Sequence, residues 1–238
     1  MGKSLFVREG RGIAPTGAAV SLAHRIEYPI NVISSVAEHN DELNVYCTES
    51  LLPFCAHIDG VRFIEAPLDE DKLFDALIAQ KVDLVIDVIS SKRHSLIEEV
   101  LFDDEAVCLT RSNHPRIDTE MTYDQYFEEQ HIALKLRRSE MNTIDFLSDK
   151  PIKPRKVSIE TSSISSMLML ASTTDYVASS TRSLAKLLAP QLGLKVHAIP
   201  LDLNPITFRM LYHRRYASDE QHIKVRETVR AALPSIHS

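Results

Sequence analysis

Apolar positions along the chain follow two periods, and the switches between them mark the elements. From Thr16 to about Glu38 they fall at Ala19, Leu22, Ala23, Ile26, Ile30, Ile33 and Ala37. That spacing predicts a helix with a stripe close to a heptad seam. Pro29 lies inside it and is expected to kink or split it. A second copy of the same helix is the expected cover for the stripe; packing against its own domain is the alternative. Ahead of the helix, Leu5, Phe6 and Val7 form a β-prone run. Gly10 and Gly12 permit a tight turn, Arg8 and Arg11 flank it, and Thr16 after Pro15 reads as an N-cap. The prediction is strand, basic glycine turn, strand, capped helix, against the plainer reading of a surface turn with two solvated arginines.

Beyond the polar linker 39–42, short apolar runs alternate with helical spacing. Strands are predicted at Leu43–Thr48, Val61–Ala66 and Asp83–Val88. A short helix follows Glu49–Pro53, and a longer one opens at Asp69-Glu70-Asp71 and buries Leu73, Phe74, Leu77 and Ile78. Strand, helix, strand at this spacing is a βαβ unit with a parallel sheet. Ala106–Thr110 is the next strand, and the turn formers Arg111–Pro115 mark a crossing into a second lobe. There, Thr122–Gln125 is a capping box. Ile132, Leu134 and Leu136 alternate along a strand, and 137–156 reads as a loop. Val157–Thr161 and Tyr176–Ala178 are strands on either side of a helix capped by Ser162-Ser163. A helix over Ser183–Leu188 ends at Pro190 and Gly193, and Val196–Leu201 is a strand. Asn204-Pro205 marks the return. Ile206, Phe208, Met210 and Tyr212 alternate along a strand, and a second capping box at Ser218–Gln221 opens a helix that buries Val225, Val229, Ala232 and Leu233.

Composition is that of an ordinary folded chain: 238 residues, 44% hydrophobic and 25% charged, which excludes disorder. Charge changes the picture more. The formal net charge is −6, yet residues 1–30 carry Lys3, Arg8, Arg11 and Arg25 against Glu9 and Glu27, so this end is basic and the body acidic. Any nucleic-acid contact is therefore expected at the N-terminal end. Cys47, Cys55 and Cys108 are odd in number and form no CxxC pair, as expected of buried thiols in a reducing compartment. No run reaches transmembrane length and no leader pattern opens the chain, so a cytoplasmic location and no membrane partner are expected.

The stretch LFVREGRGIAPT resembles the end of the winged helix-turn-helix of LysR-type transcriptional regulators. Two α/β lobes joined by two crossings are similar to the type 2 periplasmic-binding-protein fold of that family's effector domain. The resemblance implies a wing remnant over 1–15, a linker and dimerisation helix over 16–40, and an effector-binding domain over 41–238. Its lobes would be 41–111 with 205–238, and 112–204. Only four residues precede Leu5, so the expectation is a regulator truncated to its effector-sensing part, without the recognition helix. The short helix between Ser50 and Gly60 departs from the family pattern and would reshape one wall of the cleft.

Ligands of open α/β sheets lie beyond the carboxyl ends of the strands, where helix N-termini offer free N–H groups. The residues at those ends are Thr48, Glu49 and Ser50, then Ser90, Thr110, and Ser162 with Ser163. Each hydroxyl has capping its own helix as an alternative role. The resemblance places effectors between the lobes, which makes these the expected effector-binding residues for a small polar metabolite. Arg137 and Arg138 are expected to add a carboxylate or phenolate contact, and Glu49 would oppose an anion. Arg8 and Arg11 are the expected DNA contacts, and the partners are DNA, the effector and a second copy, as homodimer or homotetramer. No catalytic, metal or cofactor site is expected: GxSxG, GxGxxG and HExxH are absent, and His94, His114, His131 and His213 read as surface or strand-edge residues. The alternative is a stand-alone cytosolic binding protein or enzyme of the same fold, since Thr110-Arg111 and Thr181-Arg182 resemble the Thr-Arg pair of prephenate dehydratases.

Overall fold

The computed structural model describes residues 4–9, 12–37, 42–135, 137–138 and 141–234. An antiparallel hairpin, β1 (Phe6–Glu9) with β2 (Gly12–Pro15), runs in register from Phe6 opposite Pro15 to Glu9 opposite Gly12. Thr16 follows, and its hydroxyl accepts from the Ala19 N–H at 3.3 Å as helix α1 (Gly17–Ala37) begins. The helix continues through Pro29 and is not split. Proline lacks the N–H that would reach Arg25, one lost bond that the remaining turns tolerate. Val20, Leu22, Ile26 and Ile30 on this helix are exposed.

The first lobe is a five-stranded sheet in the order β4-β3-β5-β14-β6. In chain order these are β3 (Leu43–Cys47), the single-turn α2 (Leu52–Cys55), β4 (Val61–Glu65), α3 (Glu70–Ile78), β5 (Leu84–Asp87) and β6 (Leu96–Asp104). The strand β14 is contributed from far along the chain. The expected βαβ unit is present: β3 runs parallel to both β4 and β5. Side chains of a strand alternate between faces, and β5 shows both faces covered. Leu84 and Ile86 pack with Val45, Met210 and the last helix, whereas Val85 packs with Leu73, Phe74 and Leu77 of α3. Ile78, expected in that core, is exposed, and Ala76 is buried in its place.

The second lobe holds β7 (Ala106–Arg111), α4 (Tyr123–Glu128), β8 (Gln130–Leu134), the two-residue strands β9 (Arg137–Arg138) and β10 (Met141–Asn142), α5 (Thr143–Phe146), β11 (Lys156–Thr161), α6 (Ile164–Thr173), β12 (Ala178–Thr181), α7 (Arg182–Leu192) and β13 (Leu194–Ala198). The chain then returns through β14 (Ile206–His213), a 3-10 turn at Arg214–Tyr216 and α8 (Glu220–Ala232). β7 lies between β12 and β13, antiparallel to both. Its Val107 and Leu109 face α6 and α7, and its Cys108 faces the opposite cluster with Tyr126 and Val177. The capping box of α4 is complete, with Thr122 and Gln125 bonding reciprocally.

Several expectations need correction. The first crossing is at Glu105, the one residue between β6 and β7, because β7 pairs inside the second sheet; the boundary at 111 placed this strand in the wrong lobe. An apolar strand carries no label for its sheet, and only its partners decide. β6 was not anticipated because LIEEVLFDD reads as polar. Two of its four acids are paired, Glu98 with Arg209 at 2.7 Å and Glu99 with Arg230 at 2.6 Å. The segment 137–156 holds β9, β10 and α5 rather than loop alone. Pro190 lies inside α7, which ends at Gly193 in the left-handed conformation (φ +62°) that glycine adopts without a Cβ penalty. Asp219, not Ser218, caps α8.

His114 and His131 are buried, not peripheral. Burial pushes His131 down to about 4, and its Nε2 bonds the Tyr126 carbonyl at 2.6 Å. Burial also lowers His222, which sits between Arg226 and the Asp83 carbonyl. A histidine held neutral in the folded state binds its proton only on unfolding, so stability rises with pH across the window below about 6.5. Acidification from pH 7.5 to 5.0 is therefore expected to lower the thermal midpoint, with His131 alone contributing on the order of 2 kcal/mol. An unchanged midpoint contradicts neutral burial.

Candidate functional site

Between the lobes, two helices of the second lobe point their N-termini toward the first. Each begins with backbone N–H groups that have no partner inside the helix. Both ends are met by carboxylates of the first lobe. Asp104, at the end of β6, accepts from the Ser183 N–H of α7 at 3.2 Å, one residue before the crossing. Glu49, in the turn after β3, reaches α6: its carboxylate accepts from the Ser163 hydroxyl at 2.9 Å, the Ile164 N–H at 2.6 Å and the Ser165 N–H at 2.9 Å. Ser163 meanwhile caps α6 by accepting from the Ser166 N–H at 3.2 Å. Burial pushes the Glu49 carboxyl up, but the donors of Ser165, Ile164 and Ser163 outweigh it, so the net shift is downward and the group is held as a carboxylate.

A third carboxylate gathers a similar set of donors inside the first lobe. Glu70, in the first turn of α3, accepts from the Ser90 N–H at 3.0 Å, the Ser90 hydroxyl at 2.8 Å and the Ser91 N–H at 2.9 Å, and also from the Ser91 hydroxyl. Burial raises this carboxyl and the four serine donors lower it further than burial lifts it. The donors after β5 are thus occupied by the chain itself.

Beside α6 lies a cleft of about 80 Å³. It is bounded by Ile132 and Leu134 of β8, Ile164 and Met167 of α6, Ser179 and Ser180 of β12, and by Ala106 and Ile206 next to the two crossings. Arg155 also reaches its wall. The hydroxyls of Ser179 and Ser180 are buried and make no hydrogen bond. An apolar pocket with two unsatisfied hydroxyls suits a compact ligand that is mostly apolar and carries a polar group, because the hydroxyls gain a partner only when it enters.

Of the residues expected to form the site, Glu49 and Ser163 touch. Thr48 and Ser50 adjoin Glu49; the Thr48 carbonyl accepts from Leu51 at 3.0 Å, and Ser50 is buried. Ser162 is exposed beside the cap. Ser90 belongs to the Glu70 arrangement. Thr110 does not join the others: it is buried in the middle of the second lobe, 2.9 Å from His197 Nε2, because β7 runs in the other sheet. Arg137 is on β9, and its side chain lies outside the described residues, as does Arg11. Arg8 is exposed on β1. Sequence reading missed Ser179, Ser180, Asp104 and Glu70. The run Ser179-Ser180-Thr181 was a usable signal, since three hydroxyls in a row inside a buried strand need partners. Among the described residues no group of His, Cys, Asp and Glu is arranged to hold a metal, and no helix is long and apolar enough to cross a membrane.

Two α/β lobes, two crossings and a cleft between them define an effector-binding module of the periplasmic-binding-protein type. The chain belongs to the LysR family of transcriptional regulators: residues 47–234 match the family described as LysR substrate binding domain. It is similar to the HTH-type transcriptional activator NagR of Ralstonia, 20% identical over 94% of this chain and 80% of that protein. SyrM of Rhizobium etli, an HTH-type transcriptional regulator, is 24% identical over 96% of this chain and 73% of its own length. Among solved structures, a probable transcriptional regulator from Pseudomonas aeruginosa aligns with a TM-score of 0.73 at 21% identity, covering 97% of this chain and 83% of that one. The regulatory domain of MexT, a transcriptional activator of the same species, aligns at 0.66 with 13% identity, covering 80% and 99%. These relatives are named as regulators, which sets aside the prephenate-dehydratase alternative. The chain is a transcriptional regulator and not an enzyme.

Asp104→Ala removes the acceptor for Ser183 and is expected to cost about 1 kcal/mol. Urea unfolding of this variant should show an earlier midpoint with an unchanged slope; an unshifted midpoint means that the Asp104 contact carries no stability.

Proposed function

We propose that this protein senses a small molecule in the cleft between its lobes and transmits its occupancy to a DNA-bound dimer. The observation that carries the reading is the pocket at the crossings with the unpartnered Ser179 and Ser180 hydroxyls. A ligand there is walled by the second lobe, Ala106 of β7 and α6 included, and meets the first lobe at Ile206 of β14, so binding bears on the lobe arrangement at the crossings. The ligand's apolar body fills the pocket, and its polar group meets the serines and Arg155. Thr48, Glu49, Ser50, Ser162 and Ser163 form the outer wall in this reading, while Ser90 is held by Glu70 and Arg137 remains a candidate from the sequence alone. The domain division is a wing over 1–15, a dimerisation helix over 16–40 and the effector domain beyond, with the first crossing at Glu105. The protein works in the cytoplasm, where the DNA is.

Dimerisation is assigned to α1. Its Val20, Leu22, Ile26 and Ile30 are exposed, and an apolar stripe on a 21-residue helix finds its cover most simply in a second copy. Arg8, with Arg11, leans the hairpin on the DNA backbone, so this chain binds DNA weakly and without sequence preference.

A melting-temperature screen of small metabolites tests the sensor. A ligand that stabilises the protein should lose its effect in Ser180→Leu, which fills the pocket; a shift that survives this change moves the site elsewhere. Light scattering tests the helix: the double variant Ile26→Glu, Ile30→Glu is expected to be monomeric at concentrations where the parent is a dimer. An oligomer that persists in that variant rules out α1 as the interface.

A further inference from the structure

The two carboxylates that meet the second lobe are not equivalent. Asp104 sits one residue from the crossing, so its bond to α7 holds wherever the lobes turn about that point. Glu49 is more than a hundred residues from its partners, in the turn after β3 and outside the segment that the two crossings enclose. Its contact exists only while the lobes are closed on each other. The group at the α6 N-terminus is what an incoming anion would be: two oxygens, one negative charge, three donors around them, in the place where the helix dipole favours negative charge.

We propose that Glu49 is an internal latch, a carboxylate of the first lobe that occupies the anion position of the second, holds the two lobes together, and keeps external anions out. This rests on the sensor reading for its regulatory meaning, and it adds a selectivity rule to it. Ile164, whose N–H Glu49 holds, also lines the pocket. A ligand in the pocket therefore has the α6 N–H groups denied to it and directs its polar end to Ser180, which is 8% exposed and without a partner. A ligand that brings its own anion to α6 must first displace Glu49, and doing so releases the lobes. Closure and anion binding at α6 exclude one another.

The test uses the whole chain without effector or DNA, so a failed effector screen leaves it intact. Hydrogen exchange is followed at Ile164, Ser165 and Ser183, and inorganic sulfate is the probe. In Glu49→Ala, the Ile164 and Ser165 amides are expected to exchange roughly tenfold faster or more, the loss of a charge-assisted bond. Ser183, held by Asp104, keeps its protection. Sulfate at ionic strength matched with chloride should restore protection at Ile164 and Ser165 in the variant and leave the parent unchanged. Glu49→Gln keeps the side-chain volume and one acceptor oxygen but removes the charge; it should fall between the two and guards against a variant that folds poorly. Unchanged exchange at Ile164 and Ser165 in both variants overturns the latch. So does equal protection by sulfate of parent and variants, and so does loss of protection at Ser183 together with the α6 amides, which marks general loosening rather than a released contact.

Discussion

A helix begins with backbone N–H groups that its own turns cannot satisfy, and in this protein the answer to that need shapes the cleft. α3 uses Asp69, α4 its capping box and α8 Asp219, all from nearby in the chain. α6 and α7 add acceptors from the other lobe. Two requirements that are local elsewhere thereby become contacts between lobes. Glu49 is stabilised as an anion by the donors it meets, and both joining contacts are hydrogen bonds to carboxylates, so the joint between the lobes is directional. Joints of that kind can have two states, because a few hydrogen bonds can be exchanged for others without exposing a core.

The two cores are built by the same alternation and stay separate. Strand β5 divides its side chains between α8 and α3, and β7 divides its own between α6 with α7 and the cluster around Tyr126. Each lobe is thus covered on both faces. The chain passes between them at Glu105 and between Ala198 and Ile206. The pocket lies beside those crossings, with Ala106 and Ile206 in its wall.

What could be read from the chain alone was whatever depends on neighbours in sequence. The hairpin, the capped α1, the βαβ unit, the capping box before α4 and the cap at Ser163 all follow from spacing and from local backbone chemistry. So did the family, because LFVREGRGIAPT is a contiguous signal and two lobes with two crossings leave a long-period pattern. Glu49 was read as opposing an anion in the cleft, and its position bears on that in an unexpected way: it is itself the anion.

Tertiary structure alone decided which strands share a sheet and which donors are already taken. Thr110 and Ser90 looked equivalent to Ser163 along the chain, yet Thr110 is enclosed with His197 and Ser90 is held by Glu70. β6 hid its nature because two of its acids are paired with Arg209 and Arg230, more than a hundred residues away. The pocket hydroxyls of Ser179 and Ser180 gain meaning only because no partner reaches them. The physical reason is the same in each case. Periodicity and capping are set by residues within a turn or two, whereas strand pairing, burial and the occupancy of a hydrogen-bond donor are set by whichever distant group the fold brings within 3 Å or so.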